Sequence, residues 1–256
     1  MSNLSAKIQR IIDENYELRI GDYIGQGFNL VGRNVGGFIG YILLFLLIAV
    51  VLAFIPIIGS LASWIISPAL SIGPYIVANK LDRNEPTEFS DFFRGFDKIW
   101  PLFLTSLLTG LIIVLAALPG IIVIFSSGFD ILSYPEMNMS PTTLWIGILL
   151  TLIPAVYLGV SYTFAPMFVW FYDMDAWQAM EASRKIVGKQ WLMMLVFLIA
   201  VGLIAAAGLI LLVVGILFTA PAMNCALYAA FADVTRLNEE HTGESDIIDH
   251  FVPTGN

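Results

Sequence analysis

Six stretches of about twenty largely apolar residues recur along this 256-residue chain, and they leave it few ways to fold. A bilayer core about 30 Å thick is crossed by roughly 20 helical residues rising 1.5 Å each. The stretches fall at residues 36–54, 61–79, 100–124, 143–171, 191–212 and 215–232. Only 12% of the residues are charged, whereas soluble domains carry about 25%. Ahead of the first stretch, residues 1–34 lack the short apolar core and small-residue cleavage site of a secretory leader, so that stretch is expected to be a retained helix. The second stretch is the least hydrophobic, with Ser63, Ser67, Ser71, Gly73 and two prolines. A re-entrant segment is the competing expectation there.

Charge placement tests the count. All 12 basic residues (Lys7, Arg10, Arg19, Arg33, Lys80, Arg83, Arg94, Lys98, Arg184, Lys185, Lys189, Arg236) fall on one side of a six-span arrangement. The opposite connections carry none, although Ser126–Thr142 is long enough to hold several. Five spans break this separation, and four preserve it only by leaving long apolar runs unexplained. Basic residues mark the cytoplasmic face, so both termini are expected in the cytoplasm and the chain in the cell (inner) membrane.

Several chemistries lack the residues they need. Cys225 is alone, so it has no partner for an internal disulfide and no metal-ligand spacing. His241 and His250 both lie in the polar tail, which leaves no histidine for general-base or metal chemistry at membrane depth. No ionisable residue sits deep within a span, which counts against a proton-coupled pump. HExxH, GxSxG and a phosphate-binding glycine loop are all missing. A net charge of −8 argues against nucleic acid. The expectation is a protein that is not an enzyme and uses no cofactor or metal.

Each pair of spans follows an amphipathic segment on the basic side. In the second such segment Phe89, Phe92, Phe93 and Phe96 fall at i, i+3, i+4 and i+7, one apolar stripe of a helix. Ile20, Tyr23, Ile24, Phe28 and Val31 make a similar stripe in the first, and Trp177, Met180 and Val187 in the third. Asp175 with Gln178 reads as a capping-box start for that third helix. The segments end in Arg33, in Arg94 and Lys98, and in Arg184, Lys185 and Lys189, which are the expected lipid-headgroup contacts.

The second span of each pair carries proline. Pro68-Ala69 with Tyr75 matches Pro221-Ala222 with Tyr228 at one spacing, and Pro74-Tyr-Ile-Val resembles Pro166-Met-Phe-Val. Trp100 and Trp191 open the third and fifth spans. The predicted fold is therefore all-α: an integral membrane bundle of six transmembrane helices in three hairpins, each preceded by a cytoplasmic interfacial amphipathic helix. Residues 1–19 form a cytoplasmic segment and residues 20–236 the membrane domain, with units at about 20–80, 85–172 and 175–236. Residues 237–256 form an acidic cytoplasmic tail.

Prolines within spans free the carbonyl four residues earlier, Leu70 for Pro74 and Tyr162 for Pro166, and kink the helix. Such kinks can line a cavity, or they can be ordinary membrane-helix features. Gly202, Ala206 and their small neighbours read as helix packing. Ser60, Ser63, Ser67 and Ser71 form a polar stripe, open to reading as interhelical hydrogen bonding or as a path. Asn224 and Tyr228 sit one turn apart, with Ser71 and Tyr75 at the equivalent places. Ser67, Ser71, Tyr75, Tyr162, Asn224 and Tyr228 are thus the candidate ligand or lipid contacts.

The run Ala179-Met-Glu-Ala-Ser-Arg-Lys-Ile-Val-Gly-Lys-Gln-Trp191 leads to Thr219-Ala-Pro-Ala-Met-Asn-Cys-Ala-Leu-Tyr-Ala-Ala230. These runs, with Phe89-Ser-Asp-Phe-Phe-Arg-Gly-Phe96, resemble a broad group of uncharacterised bacterial integral membrane proteins. That group includes the membrane region sometimes fused to glycerophosphoryl diester phosphodiesterases. The resemblance implies the topology and carries no activity, because the phosphodiesterase chemistry of the fused members lies in a soluble domain missing here. Two functions are expected from the sequence. One is a non-enzymatic membrane protein organising lipids or partner proteins, with another membrane protein or a second copy among the candidate partners. The other is a small permease lined by Ser63, Ser67, Tyr75, Tyr162 and Asn224.

Overall fold

The computed structural model describes residues 9, 11, 16–55, 57–128, 141–210 and 214–238. Among these residues the structure is helical and contains no strand. In chain order the elements are α1 (Ile20–Arg33), α2 (Val35–Ala53), α3 (Ile58–Asp82), the 3-10 helix η1 (Phe89–Lys98), α4 (Ile99–Gly128) and α5 (Pro141–Ser161). They continue with α6 (Ala165–Phe171), α7 (Ala176–Lys189), α8 (Trp191–Ile210) and α9 (Val214–Thr235). Six helices are long and apolar enough to cross a membrane, so the chain reads as a multi-pass membrane protein. The expected acidic tail from residue 239 on, most of the N-terminal segment, the centre of the long connection before α5 and the turn between α8 and α9 lie outside the described residues.

Two compact units make up the chain: Met1–Ile99 with Leu192–Asn256, and Trp100–Trp191. In the first unit the core lies along α3 and α9, in each of which 50% of the span is buried, against 11% for α2. The reason is side-chain size. Small residues on these two helices (Ala69, Gly73, Ala78; Ala222, Ala226, Ala230) let neighbours approach their backbones. The Leu, Ile and Val side chains of α2 instead point outward, with Leu47 and Val50 exposed. Phe92 of η1 stacks on Tyr41 of α2 and meets Phe38 edge-on. In the second unit Gly120 of α4 and Gly147 of α5 lie at a crossing too close to admit a Cβ without displacement.

Proline acts in two ways. The α3 helix, 25 residues long, runs unbroken through Pro68 and Pro74, which supports a full span over a re-entrant segment. The carbonyl of Leu70, freed by Pro74 as expected, accepts a hydrogen bond from the Tyr41 hydroxyl. In the fourth span the helix breaks instead. It ends at Ser161, turns through Tyr162, Thr163 and Phe164, and restarts at Ala165 with Pro166 in its first turn. Pro is favoured there because its missing N–H is one the helix would leave unpaired.

Two local expectations change. The phenylalanine segment is a 3-10 helix and not an α-helix, and its rings differ in burial: Phe92 is buried while Phe89 and Phe96 are exposed. Asp175 occupies the N-cap of α7 without making a side-chain cap bond. The capping box stands at the start of η1, between Glu88 and Asp91.

Candidate functional site

A polar cluster sits in the first unit where α1 meets the C-terminal ends of α3 and α9. Asp82, on the last turn of α3, is its hub. One carboxylate oxygen accepts from Gln26 Nε2 of α1 at 2.9 Å. The other accepts from Asn238 Nδ2 at 2.7 Å and from the Tyr228 hydroxyl at 3.2 Å. Asn79, one turn before Asp82, donates to Tyr228 Oη at 2.9 Å and to Asn238 Oδ1 at 3.2 Å. A second carboxylate, Asp233 of α9, accepts from the Tyr23 hydroxyl at 2.6 Å and from Arg19 at 2.8 Å.

Helix geometry explains the convergence. Asn79 and Asp82 lie three residues apart on α3, and Tyr228 faces them from α9, so one turn of each helix aims its polar groups at the same place. Gln26 and Tyr23 lie on adjacent turns of α1, one reaching Asp82 and the other Asp233. Beside these groups lies an open pocket of about 300 Å³ lined by Gln26, Asp82, Ala229, Ala232, Asp233, Arg236 and Asn238.

Electrostatically, this is a clamp more than a reactive centre. Tyr228 Oη accepts from two amides and donates to Asp82, and both oxygens of Asp82 are engaged. Among the described residues no buried side-chain nitrogen or oxygen lacks a hydrogen-bond partner. Burial, reinforced by the hydrogen bond to Asp233, pushes the Tyr23 phenol up to about 12. A saturated set of this kind holds α1, α3 and α9 together.

Of the expected contact residues, Tyr228 alone joins this cluster. Ser67 and Ser71 lie on an exposed face of α3, where Ser71 donates to the Pro68 carbonyl of its own helix. Tyr75 and Asn224 are half-buried elsewhere along their helices, and Tyr162 stands at the break in the second unit. The pocket at the clamp includes none of Ser63, Ser67, Tyr75, Tyr162 and Asn224.

Basic residues divide by what they touch. Arg33 reaches the Leu81 carbonyl and Asn84, pinning the end of α1 to the end of α3. Lys80 pairs with the buried Asp91 at 2.6 Å and ties α3 to η1. Arg184 and Lys185 share the half-buried Glu181 at 2.8 and 3.3 Å, and Arg94 stands 4.0 Å from Asp97. Exposed pairs of this type are weak and exchangeable. Lys98 and Lys189 close the last turns of η1 and α7.

Residues 30–238 match the family model described as a protein of unknown function (DUF975), which covers most of the chain. The chain belongs to the DUF975 family. No curated protein and no solved structure matches it. The matched residues of this DUF975 member span every helix after α1 and include Asn79, Asp82, Tyr228, Asp233 and Asn238. The sequence signal for the cluster was faint: Asn79, Asp82, Asp233 and Asn238 sit at span ends, where polar residues are ordinary. Only the pairing of Tyr228 with an amide one turn away singled out part of it.

Proposed function

We propose that this DUF975 protein is a non-enzymatic inner-membrane protein that organises lipids or partner proteins, with both termini in the cytoplasm. The observation that carries this reading is the contrast between a hydrogen-bonded polar cluster and exposed apolar helix faces. The polar groups at the ends of α3 and α9 are engaged with one another. Large apolar side chains on α2, α4, α5 and α8 face outward, among them Leu47, Leu115, Ile153 and Leu203. Exposed Trp64 and Trp145 stand near the starts of α3 and α5, and Trp100 and Trp177 near the basic connections, as expected of aromatic belts at the two membrane interfaces.

In this reading the six spans form three repeated hairpins, and α1, η1 and α7 lie at the cytoplasmic headgroup layer. Their apolar faces pack on protein, so lipid meets the exposed Phe89, Phe96 and Trp177 and the basic Arg33, Arg94, Lys98, Arg184, Lys185 and Lys189. The likeness to membrane regions fused to glycerophosphoryl diester phosphodiesterases fits the same topology and adds no activity.

Lipid selectivity tests the proposal. Purified protein reconstituted in vesicles mixing anionic phosphatidylglycerol with neutral phosphatidylcholine should retain the anionic lipid, as read by native mass spectrometry. Replacing Arg94, Lys98, Arg184 and Lys185 by Gln should remove that preference while leaving the fold intact. Equal retention of both lipids by the unchanged protein, with solute flux across the vesicle wall, would sink this reading and favour a permease.

A further inference from the structure

The end of α1, Leu30-Val31-Gly32-Arg33-Asn34, has the same chemistry at every position as the end of α7, Ile186-Val187-Gly188-Lys189-Gln190. Both helices have 14 residues, and each is followed by one non-helical residue and then a span. The N–H of that residue donates three residues back in both cases, Asn34 to Val31 and Gln190 to Val187, each at 3.1 Å. The buried positions of α1 (Tyr23, Gly27, Leu30, Val31) fall in register on buried positions of α7 (Ala179, Ser183, Ile186, Val187).

The third connector is shorter and runs into its span without an intervening non-helical residue. η1 has 10 residues, and the N–H after it, on Ile99, also donates three residues back, to Phe96. Fourteen α-helical residues at 1.5 Å extend about 21 Å, and ten 3-10 residues at 2.0 Å extend about 20 Å. Overwinding lets the shorter connector cover the same length. The run is longer than the three or four residues such helices usually reach.

The connectors also dock alike. The proline spacings that align the second spans place Ala69, Ser161 and Ala222 at one equivalent position. A small residue of a connector meets the carbonyl at that position each time. Gly95 of η1 lies against Ala69 O, and Gly27 of α1 against Ala222 O, both too close for a Cβ. Ser183 of α7 donates to Ser161 O at 2.7 Å. Two of these connectors dock on the span they directly follow: η1 on α3, and α7 on α5–α6. The compact unit Trp100–Trp191 accordingly closes at the end of α7. The third, α1, docks on α9 from the opposite end of the chain.

We infer that α9 carries a docking surface for a connector helix, equivalent to those on α3 and α5–α6, and that α1 is the displaced connector of the third unit. This rests on the three-unit reading above and goes beyond it: the repeat is two spans plus the connector that follows them, cut so that the last connector leads the chain. A permuted chain tests it, with residues 35–256 first and residues 1–34 joined after Asn256. Residues 239–256 and 1–19 then join α9 to α1, which keeps both ends on the same face. The permuted chain should elute as a single species and melt within about 5 °C of the native order, and Gly27→Leu should lower the melting temperature by about 5 °C or more in either order. Aggregation of the permuted chain, while Gly27→Leu still destabilises the native order, would overturn the displacement and leave the three-unit reading standing. An unchanged melting temperature for Gly27→Leu in the native order would remove the docking itself.

Discussion

Ser183 shows how much one side chain settles here. Its hydroxyl is buried, donates to Ser161 O and accepts from the Phe164 N–H at 3.2 Å, so it bridges the two ends of the broken fourth span. Ser183→Ala removes both bonds at a buried position, which should cost about 1–3 kcal/mol, read as a lowered melting temperature in detergent. Glycines supply the contrast. A Cβ at Gly25 or Gly188 meets nothing within 4 Å, so Ala at either should stabilise its helix by about 0.5–1 kcal/mol, whereas Gly95→Ala drives a methyl into the Ala69 carbonyl and should lower stability. Thermal melts of the three variants side by side check the order. A pattern of small residues was legible in the sequence, but nothing in it distinguishes Gly27 from Gly25, because the difference lies in a carbonyl contributed by a helix about 195 residues away.

The Tyr23 phenol adds a pH dependence at the same scale. Its folded value is raised from 10.0 to about 12, by burial first and then by the hydrogen bond to Asp233. A raised value means the neutral form is favoured in the folded state. The contribution to stability is therefore complete below pH 10 and is lost as the pH climbs towards 12. Tyr23→Phe should flatten part of the alkaline fall in stability between those limits, measured by denaturant melts at stepped pH. An unchanged slope would mean that α1 is not held by this bond.

Elements were legible to the extent that hydrophobic period and length decide them. The six spans follow from apolar runs, and α3 extends several residues beyond the expected end at Asn79 because Lys80, Leu81 and Asp82 continue its last turn. Proline was less informative. Pro74 and Pro166 occupy equivalent places, yet α3 continues and the fourth span breaks. Partners decide the difference: Tyr41 answers the Leu70 carbonyl within an unbroken helix, while Ser183 stitches an open turn. Tyr41→Phe should then weaken the packing of α2 on α3 by about 0.6 kcal/mol, the average for hydrogen bonds between membrane helices. Equilibrium unfolding in mixed detergent micelles measures it, with Tyr41→Leu as the reference that also loses the stack on Phe92. The 3-10 form of η1 was not legible, since a phenylalanine stripe at i, i+3, i+4 and i+7 predicts an α-helix.

For the whole molecule, the strongest sequence signal is the segregation of all 12 basic residues, and it yields the most direct test. The polar clamp escaped this level of reading because its carboxylates, Asp82 and Asp233, fall at the same edge as the basic residues and look like loop charge. Orientation does not depend on the clamp. The one native thiol, Cys225, is buried, so the unchanged protein should give little background with a membrane-impermeant maleimide. Thr142 and Arg94 are both exposed and lie on opposite sides in the six-span arrangement. Thr142→Cys should therefore be modified in intact cells, and Arg94→Cys only after the membrane is opened. Reversed labelling would place the termini outside. Modification of both in intact cells would break the six-span count itself, because the third span could then not lie between them.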